Sequence, residues 1–319
     1  MTTDLHTILG ASGGAGSALV AELVGRGRRV RAVSRHQIAG LPVGVAQVRA
    51  DLLSAEGAAE AVAGSSVVHH AAQPALARWV EDFPRLTANV AAATRRTGAK
   101  LVLADNLYTY GPHDGALTEA TPQRPPGPKA QMRRDMVEEL LCEDAAGDLR
   151  VAIGRASDYF GPGGVGSVLG ESLFEHVLDG KPMRWLGPLD APHTISYLPD
   201  VARALVVLGD AEAADGRVWH LPAGEPVTGT QFAALLGDAL GRPVAAKTTG
   251  ALGFWVASRF VPILRELEET RYQWQRPFVS DASAFDSAFG PFEPTPHPEA
   301  LRTTVAWWKA RAAGARDVD

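Results

Sequence analysis

At 319 residues, 46% hydrophobic and 21% charged, the chain can bury one large core or two modest ones and has the composition of an ordinary globular protein. A net charge of −5 gives no general attraction to nucleic acid or an anionic membrane, and a lone cysteine, Cys142, excludes an intrachain disulfide or a multi-cysteine zinc site. No apolar run reaches about 18 residues and MTTDLHTILG lacks a signal-peptide pattern, so a cytoplasmic protein with a small-molecule partner is expected.

In chain order, apolar runs predict strands over Thr7–Gly10, Arg29–Ser34, Ala46–Arg49, Val67–His70, Lys100–Ala104 and Val151–Arg155. Between them, helices are expected over Ser17–Gly25, Ala55–Ala63, Asp82–Arg96 and Ala130–Glu143. Alternation at this spacing predicts an α/β fold, a doubly wound parallel sheet with helices on both faces. The strands read as buried runs rather than alternating ones, as a sheet covered on both sides requires. Beyond Gly161 the pattern loosens. Gly and Pro crowd Gly161–Gly166, Gly187–Pro192 and Pro222–Gly229, with helices expected over Val168–Leu178, Asp200–Leu208, Gly229–Leu240, Leu252–Glu269 and Pro298–Ala312.

The strongest local signal is ILGASGGAGSALVAELVGRG, where Gly10, Gly13 and Gly16 follow the first strand and open a helix. A pyrophosphate needs a tight turn, close backbone approach and free amides at a helix N-terminus, so Gly10, Gly13, Gly14, Ala15 and Gly16 are candidate phosphate binders, with Ser12 beside them. The spacing is G-x-x-G-x-x-G rather than the commonest dinucleotide fingerprint. At the end of the second strand an acid would select NAD and an arginine NADP. Here VRAVSRH offers Ser34 and Arg35, so NADP is expected over NAD. Asp51, followed by Leu52, has two competing readings: an acceptor for the adenine amine, or the N-cap of the next helix.

The glycine loop, Asp51-Leu52, VVHHAA at 67–72, NV at 89–90, YG at 110–111, RASDYFGP at 155–162 and YLPDVARAL at 197–205 together resemble an extended short-chain dehydrogenase/reductase, the superfamily of the NAD-dependent epimerases and dehydratases. The resemblance runs over most of the chain and is weakest in the C-terminal third. It implies a Rossmann-type domain over 1–160, with 194–210 packing back on it, and a smaller substrate-binding portion over 161–319. It further implies that His70, Ala71 and Ala72 border the cofactor, that Gln73 lies on the substrate side, and that the chain forms a homodimer through the Asp82–Arg96 and Ala130–Glu143 helices.

Chemistry in that family rests on Asn, Ser, Tyr and Lys. Asn89 matches the asparagine, and the serine position falls on Asn106. The Y-x-x-x-K helix falls in RPPGPKAQMRRDMVEELL, where one register sets Ala130 and Arg134 at the tyrosine and lysine, and the other sets Lys129 and Arg133 there. No tyrosine occurs between Tyr110 and Tyr159, so the usual proton donor is missing. This departure resembles an atypical branch that keeps the nucleotide fold and loses or relocates the tetrad.

Three readings follow. In the first, an NADP-dependent oxidoreductase uses Tyr108 as a relocated acid, its pKa lowered by Lys129 or Arg133, with Asn106 and Asn89 orienting the substrate oxygen. In the second, a non-redox enzyme (a cyclase, isomerase, dehydratase or lyase) uses Asp105 as base, against its reading as a turn-forming aspartate. In the third, the chain is a non-catalytic NADP sensor. Candidate substrate contacts are Gln73, Tyr108, Asp158, His193, Arg271 and Trp274. His193 stands where nucleotide-sugar members place a diphosphate-binding arginine, which disfavours a UDP-sugar and favours a smaller, less charged substrate. No metal is expected: His69 and His70 are adjacent in a strand and point to opposite faces.

Overall fold

The computed structural model describes residues 4–248 and 268–316. Its centre is a seven-stranded sheet of β1 (Leu5–Leu9), β2 (Arg29–Ser34), β3 (Ala46–Arg49), β4 (Val67–His70), β5 (Lys100–Asn106), β6 (Arg150–Ala156) and β10 (Arg217–His220). The order is β10-β6-β5-β4-β1-β2-β3, and every pairing is parallel. This is the doubly wound Rossmann-type arrangement expected from the alternation. The order reverses between β1 and β4, which opens a crevice beyond their carboxyl ends.

Alternation along each strand builds the two faces. Leu9, Val33, Val68, Leu101, Leu103, Val151 and Ile153 face one side, against α2 (Ala55–Val62), α3 (Trp79–Thr97) and α4 (Pro128–Ala145). Ile8, Ala32, Val67, Val102 and Ala152 face the other, against α1 (Gly14–Gly25) and α6 (Leu198–Asp210). Val201, Ala202 and Leu205 of α6 meet Leu19, Val20 and Leu23 of α1 in that core.

The remaining elements are β7 (Asp158–Phe160) paired with β9 (Ile195–Tyr197), β8 (Met183–Trp185) paired with β11 (Ala246–Thr248), and helices α5 (Glu171–Leu178), α7 (Gly229–Leu240), α8 (Tyr272–Gln275), α9 (Ser283–Phe289) and α10 (His297–Arg316). A third core, including Phe160, Phe174, Trp185, Phe232 and Trp308, holds this portion together. Strand β10 was not expected. Its four residues lie within the portion assigned to substrate, yet they extend the central sheet beside β6. The expected helix Leu252–Glu269 lies outside the described residues, apart from Glu268 and Glu269, which open a 3-10 turn. No helix among the described residues is long and apolar enough to cross a membrane.

His69 and His70 separate as strand geometry requires. His69 turns toward α6 and meets His6 (3.2 Å), while His70 turns toward α3 and meets the Thr87 hydroxyl (3.2 Å). Among the described residues no cluster of His, Cys, Asp or Glu could hold a metal. Burial pushes both His69 and His70 from 6.5 down to about 3. The folded chain therefore binds fewer protons than the unfolded one, and the associated stability is fully present above pH 6.5 and lost as pH falls toward 3. Urea denaturation is expected to show midpoints that drop progressively below pH 6.5, with a shallower slope in His70→Leu.

Candidate active site

Two backbone approaches make the glycine loop what it is. Gly10 has φ +80°, and a Cβ there would lie 2.6 Å from the Ala72 Cα. A Cβ on Gly16 would lie 2.1 Å from the Gly10 carbonyl oxygen. Only glycine lets the first turn of α1 fold this tightly onto the end of β1. Gly13 is the N-cap, and the amides of the first turn have no partner within the helix. The loop also meets the second half of the chain: a Cβ on Gly14 would lie 2.9 Å from Leu198 and 3.1 Å from the Gly163 carbonyl.

From this loop a cleft of about 480 Å³ runs along the carboxyl edge of the sheet. Gly10, Ser12, Gly13, Gly14 and Ala15 form one end, beside Ala71 and Gln73; Asp105, Asn106, Leu107 and Tyr108 follow from β5, and Ala156, Ser157, Asp158 and Tyr159 from β6 and β7. Lys129, Gly163, Gly164, Gln273 and Phe278 are among the residues of the remaining walls. The fold thus gathers the glycine loop, Asn106, Tyr108, Lys129 and Asp158 around one space.

Other candidates lie elsewhere. Asn89 does not line the cleft: its Nδ2 donates to the Leu52 carbonyl (3.1 Å) and ties α3 to the loop after β3. The Ser34 hydroxyl donates to the His36 carbonyl, inside the β2–β3 connection, rather than toward a ligand. The His70 ring faces α3, and Ala72 closes against Gly10. Arg35 stands exposed beyond β2. Asp51 accepts from the Leu53 amide (3.0 Å), while the N-cap of α2 is Ser54, which accepts from Gly57 (2.9 Å). The capping alternative for Asp51 is therefore wrong.

Asp105 is not placed to act as a base. Strand β5 continues to Asn106, so Asp105 is a strand residue in register with Arg155. Arg133 donates to its Oδ1 (2.8 Å) and Arg155 to its Oδ2 (2.9 Å), all three side chains being fully buried. Both carboxylate oxygens are engaged by guanidinium groups, so Asp105 is a counter-ion. Arg133 likewise leaves the cleft: it stacks over Trp79 (4.5 Å) and Phe83 (4.7 Å). Of the two registers on α4, one places Lys129 at the cleft and Arg133 in the core, while the other places Ala130 in the core and Arg134 beside Asp135 toward solvent. The N-terminus of α4 is held by Glu269, whose carboxylate accepts from the amides of Lys129 (3.2 Å) and Ala130 (2.8 Å).

Tyr108 stacks on Trp79 (6.4 Å) and its amide donates to Asn106 Oδ1 (3.0 Å). The expected lowering of its pKa does not occur. Burial, reinforced by the Asp158 charge, pushes the phenol well above its ordinary value, against a weaker opposite pull from Arg133. Burial also pushes Tyr159 up to about 12. Neither phenol is a base near neutrality.

His193 does not line the cleft but backs it. Its Nε2 donates to Asp158 Oδ2 (2.8 Å), and its ring lies between Trp274 (4.1 Å) and Phe278 (5.3 Å). Trp274 is core, and Arg271 pairs with Glu268 (3.3 Å); neither lines the cleft. The lining residues missed from sequence include Trp79, Ser157, Tyr159, Gln273 and Phe278. Tyr159 stood inside the quoted RASDYFGP stretch and could have been found there. Gln273 and Phe278 carry no local signal.

The model of the NAD dependent epimerase/dehydratase family matches residues 6–221. No curated protein matches the sequence. Among solved structures, similar folds include UDP-glucuronic acid 4-epimerase from Bacillus cereus in complex with NAD (16% identity, TM-score 0.80, covering 97% of this chain and 98% of that one). DesIV, a dTDP-glucose 4,6-dehydratase from Streptomyces venezuelae with NAD bound, is also similar (16% identity, TM-score 0.79, 97% and 98% covered). So is MoeE5 in complex with UDP-glucose and NAD (23% identity, TM-score 0.75, 97% and 99% covered). At these identities the structural likeness speaks for the fold alone. The family match, spanning more than half of the chain and including the glycine loop, places this protein in the NAD dependent epimerase/dehydratase family.

Proposed function

We propose that the chain is a nicotinamide-dinucleotide-dependent oxidoreductase that interconverts oxidised and reduced forms of a small, uncharged carbonyl, alcohol or enone. The observation that carries this reading is the single cleft joining the glycine loop to Asn106, Tyr108 and Asp158 at the carboxyl edge of the sheet. The Gly10–Gly16 loop and the uncapped first turn of α1 border the cleft and fit a pyrophosphate, and glycine at 10 and 16 is what lets the loop close onto the helix. A bound dinucleotide would supply hydride transfer. Trp79, Tyr108, Tyr159 and Phe278 give the substrate end an aromatic lining. His193 is buried and engaged by Asp158, which argues against a diphosphate-bearing substrate at that position.

NADP is favoured by Arg35, exposed beyond β2 with no acid at the strand end to receive a ribose hydroxyl. The similar folds described with NAD favour the other nucleotide. Titration calorimetry decides between them. If NADPH is the ligand, Arg35→Ala weakens it roughly 10- to 100-fold, the loss of a charge-assisted hydrogen bond, and leaves NADH unchanged. No heat from either nucleotide ends the oxidoreductase reading. Turnover without net cofactor consumption would mark an isomerase, dehydratase or lyase instead. Nucleotide-dependent partner capture without any turnover would mark a sensor.

A further inference from the structure

The titratable side chains lining the cleft, among the described residues, are Asp105, Tyr108, Lys129, Asp158 and Tyr159. A group that receives a proton from a substrate hydroxyl must have a lone pair to offer at neutral pH. Asp105 has both oxygens held by Arg133 and Arg155. The Lys129 side chain serves as a hydrogen-bond donor rather than an acceptor. Burial keeps Tyr108 and Tyr159 protonated across the working range. Asp158 remains.

Its surroundings differ from those of Asp105. The His193 ring meets its Oδ2 (2.8 Å), and the residue lines the cleft. The carboxylate is nearly buried, with 9% of its side chain exposed, and His193 behind it is 3% exposed. The imidazole cannot swing away, because Trp274 and Phe278 clamp its faces and Trp185 meets its edge (6.4 Å). Three phenols, Tyr108, Tyr159 and Tyr272, lie close enough for the Asp158 charge to act on each of them. A buried carboxylate oriented by a clamped histidine is the arrangement of an acid–base group with its support.

We propose that Asp158, positioned by His193, exchanges the proton with the substrate oxygen in this cleft, in place of a tyrosine on α4. The proposal rests on the oxidoreductase reading above. In oxidation, the substrate O–H bond breaks and its proton passes to the Asp158 carboxylate, while an oxidised dinucleotide, when bound, would take the carbinol hydrogen as hydride as the C=O bond forms. In reduction, Asp158 enters protonated and gives that proton to the new alkoxide oxygen.

Styrene oxide tests the carboxylate without any need for turnover. An Asp158 oxygen bonds to an epoxide carbon, the ring C–O bond breaks, and the freed oxygen takes a proton from water. Peptide mass mapping should find the ester on Asp158 in the wild type and none in Asp158→Asn. With acetophenone or 1-phenylethanol as substrate, Asp158→Asn should lower kcat about 10²- to 10⁴-fold while cofactor affinity is unchanged. His193→Phe keeps the ring stack and removes the donor, so kcat should fall while cofactor affinity holds, and His193→Gln should restore part of kcat. Label on Asp105, on Lys129 or on no cleft residue overturns the proposal, as does Asp158→Asn turning over within about threefold of wild type. Failure of the cofactor reading would appear separately, as absent calorimetric heat beside an intact Asp158 label.

Discussion

Gly16→Ala is expected to weaken binding of either nicotinamide dinucleotide at least about 100-fold, roughly 2.7 kcal/mol. The added methyl would sit 2.1 Å from the Gly10 carbonyl oxygen, 2.7 Å from its carbon and 2.8 Å from the Ala11 Cα. All three are backbone atoms, so no flexible side chain can yield. Relief requires the β1–α1 loop to move off the helix or the first turn of α1 to unwind. Either movement misdirects the amides that would meet the pyrophosphate. Gly25→Ala on the same helix is the matched control, since a Cβ there has open space around it. Calorimetry on the two variants separates loop geometry from helix propensity: a Gly16→Ala protein that binds as tightly as Gly25→Ala would refute the cradle.

Asp105→Asn is the second large effect, and it falls on stability. The substitution nearly preserves shape but leaves Arg133 and Arg155 in a fully buried site without the carboxylate that both address. Removing one partner of a buried ion pair costs about 3–5 kcal/mol, because the remaining charge keeps its desolvation penalty and loses its compensation. Arg133 retains its stacking on Trp79 and Phe83, and Arg155 lies over Tyr110 (5.1 Å), so part of the loss is cushioned. Urea denaturation should nevertheless show a clear fall in midpoint. The exposed Lys181–Asp179 pair gives the contrast: Lys181→Ala should change stability by less than about 1 kcal/mol. Equal effects from the two substitutions would mean that the buried triad contributes no more than a surface contact.

The central architecture was legible because its signals are local. A strand such as β5 announced itself through its apolar Leu101–Ala104 run, since a parallel sheet buried on both faces has little polar side to show. The loop from Gly10 to Gly16 was legible for the same reason: a positive φ and two close backbone approaches are demands that only glycine meets. Strand β10 was not legible, for four residues flanked by loops carry too little periodicity to be told from a turn. Its strand character comes from pairing with β6.

The candidate site divides along the same line. Residue type and chain position brought Asn106, Tyr108, Lys129 and Asp158 to the carboxyl edge of the sheet, as strand–helix order requires. Side-chain direction and partner choice did not follow from order. Asn89 and Asp105 carried the right chemistry, yet one amide satisfies a carbonyl 37 residues away and one carboxylate is shared by arginines 28 and 50 residues away. Sequence alone determined the doubly wound sheet and the glycine cradle, because backbone conformation and apolar periodicity are set within a few residues. Tertiary structure decided that Asp105 is a counter-ion and that Asp158 faces the cleft with His193 behind it, because a buried charge takes its partner from whatever the fold brings within about 3 Å.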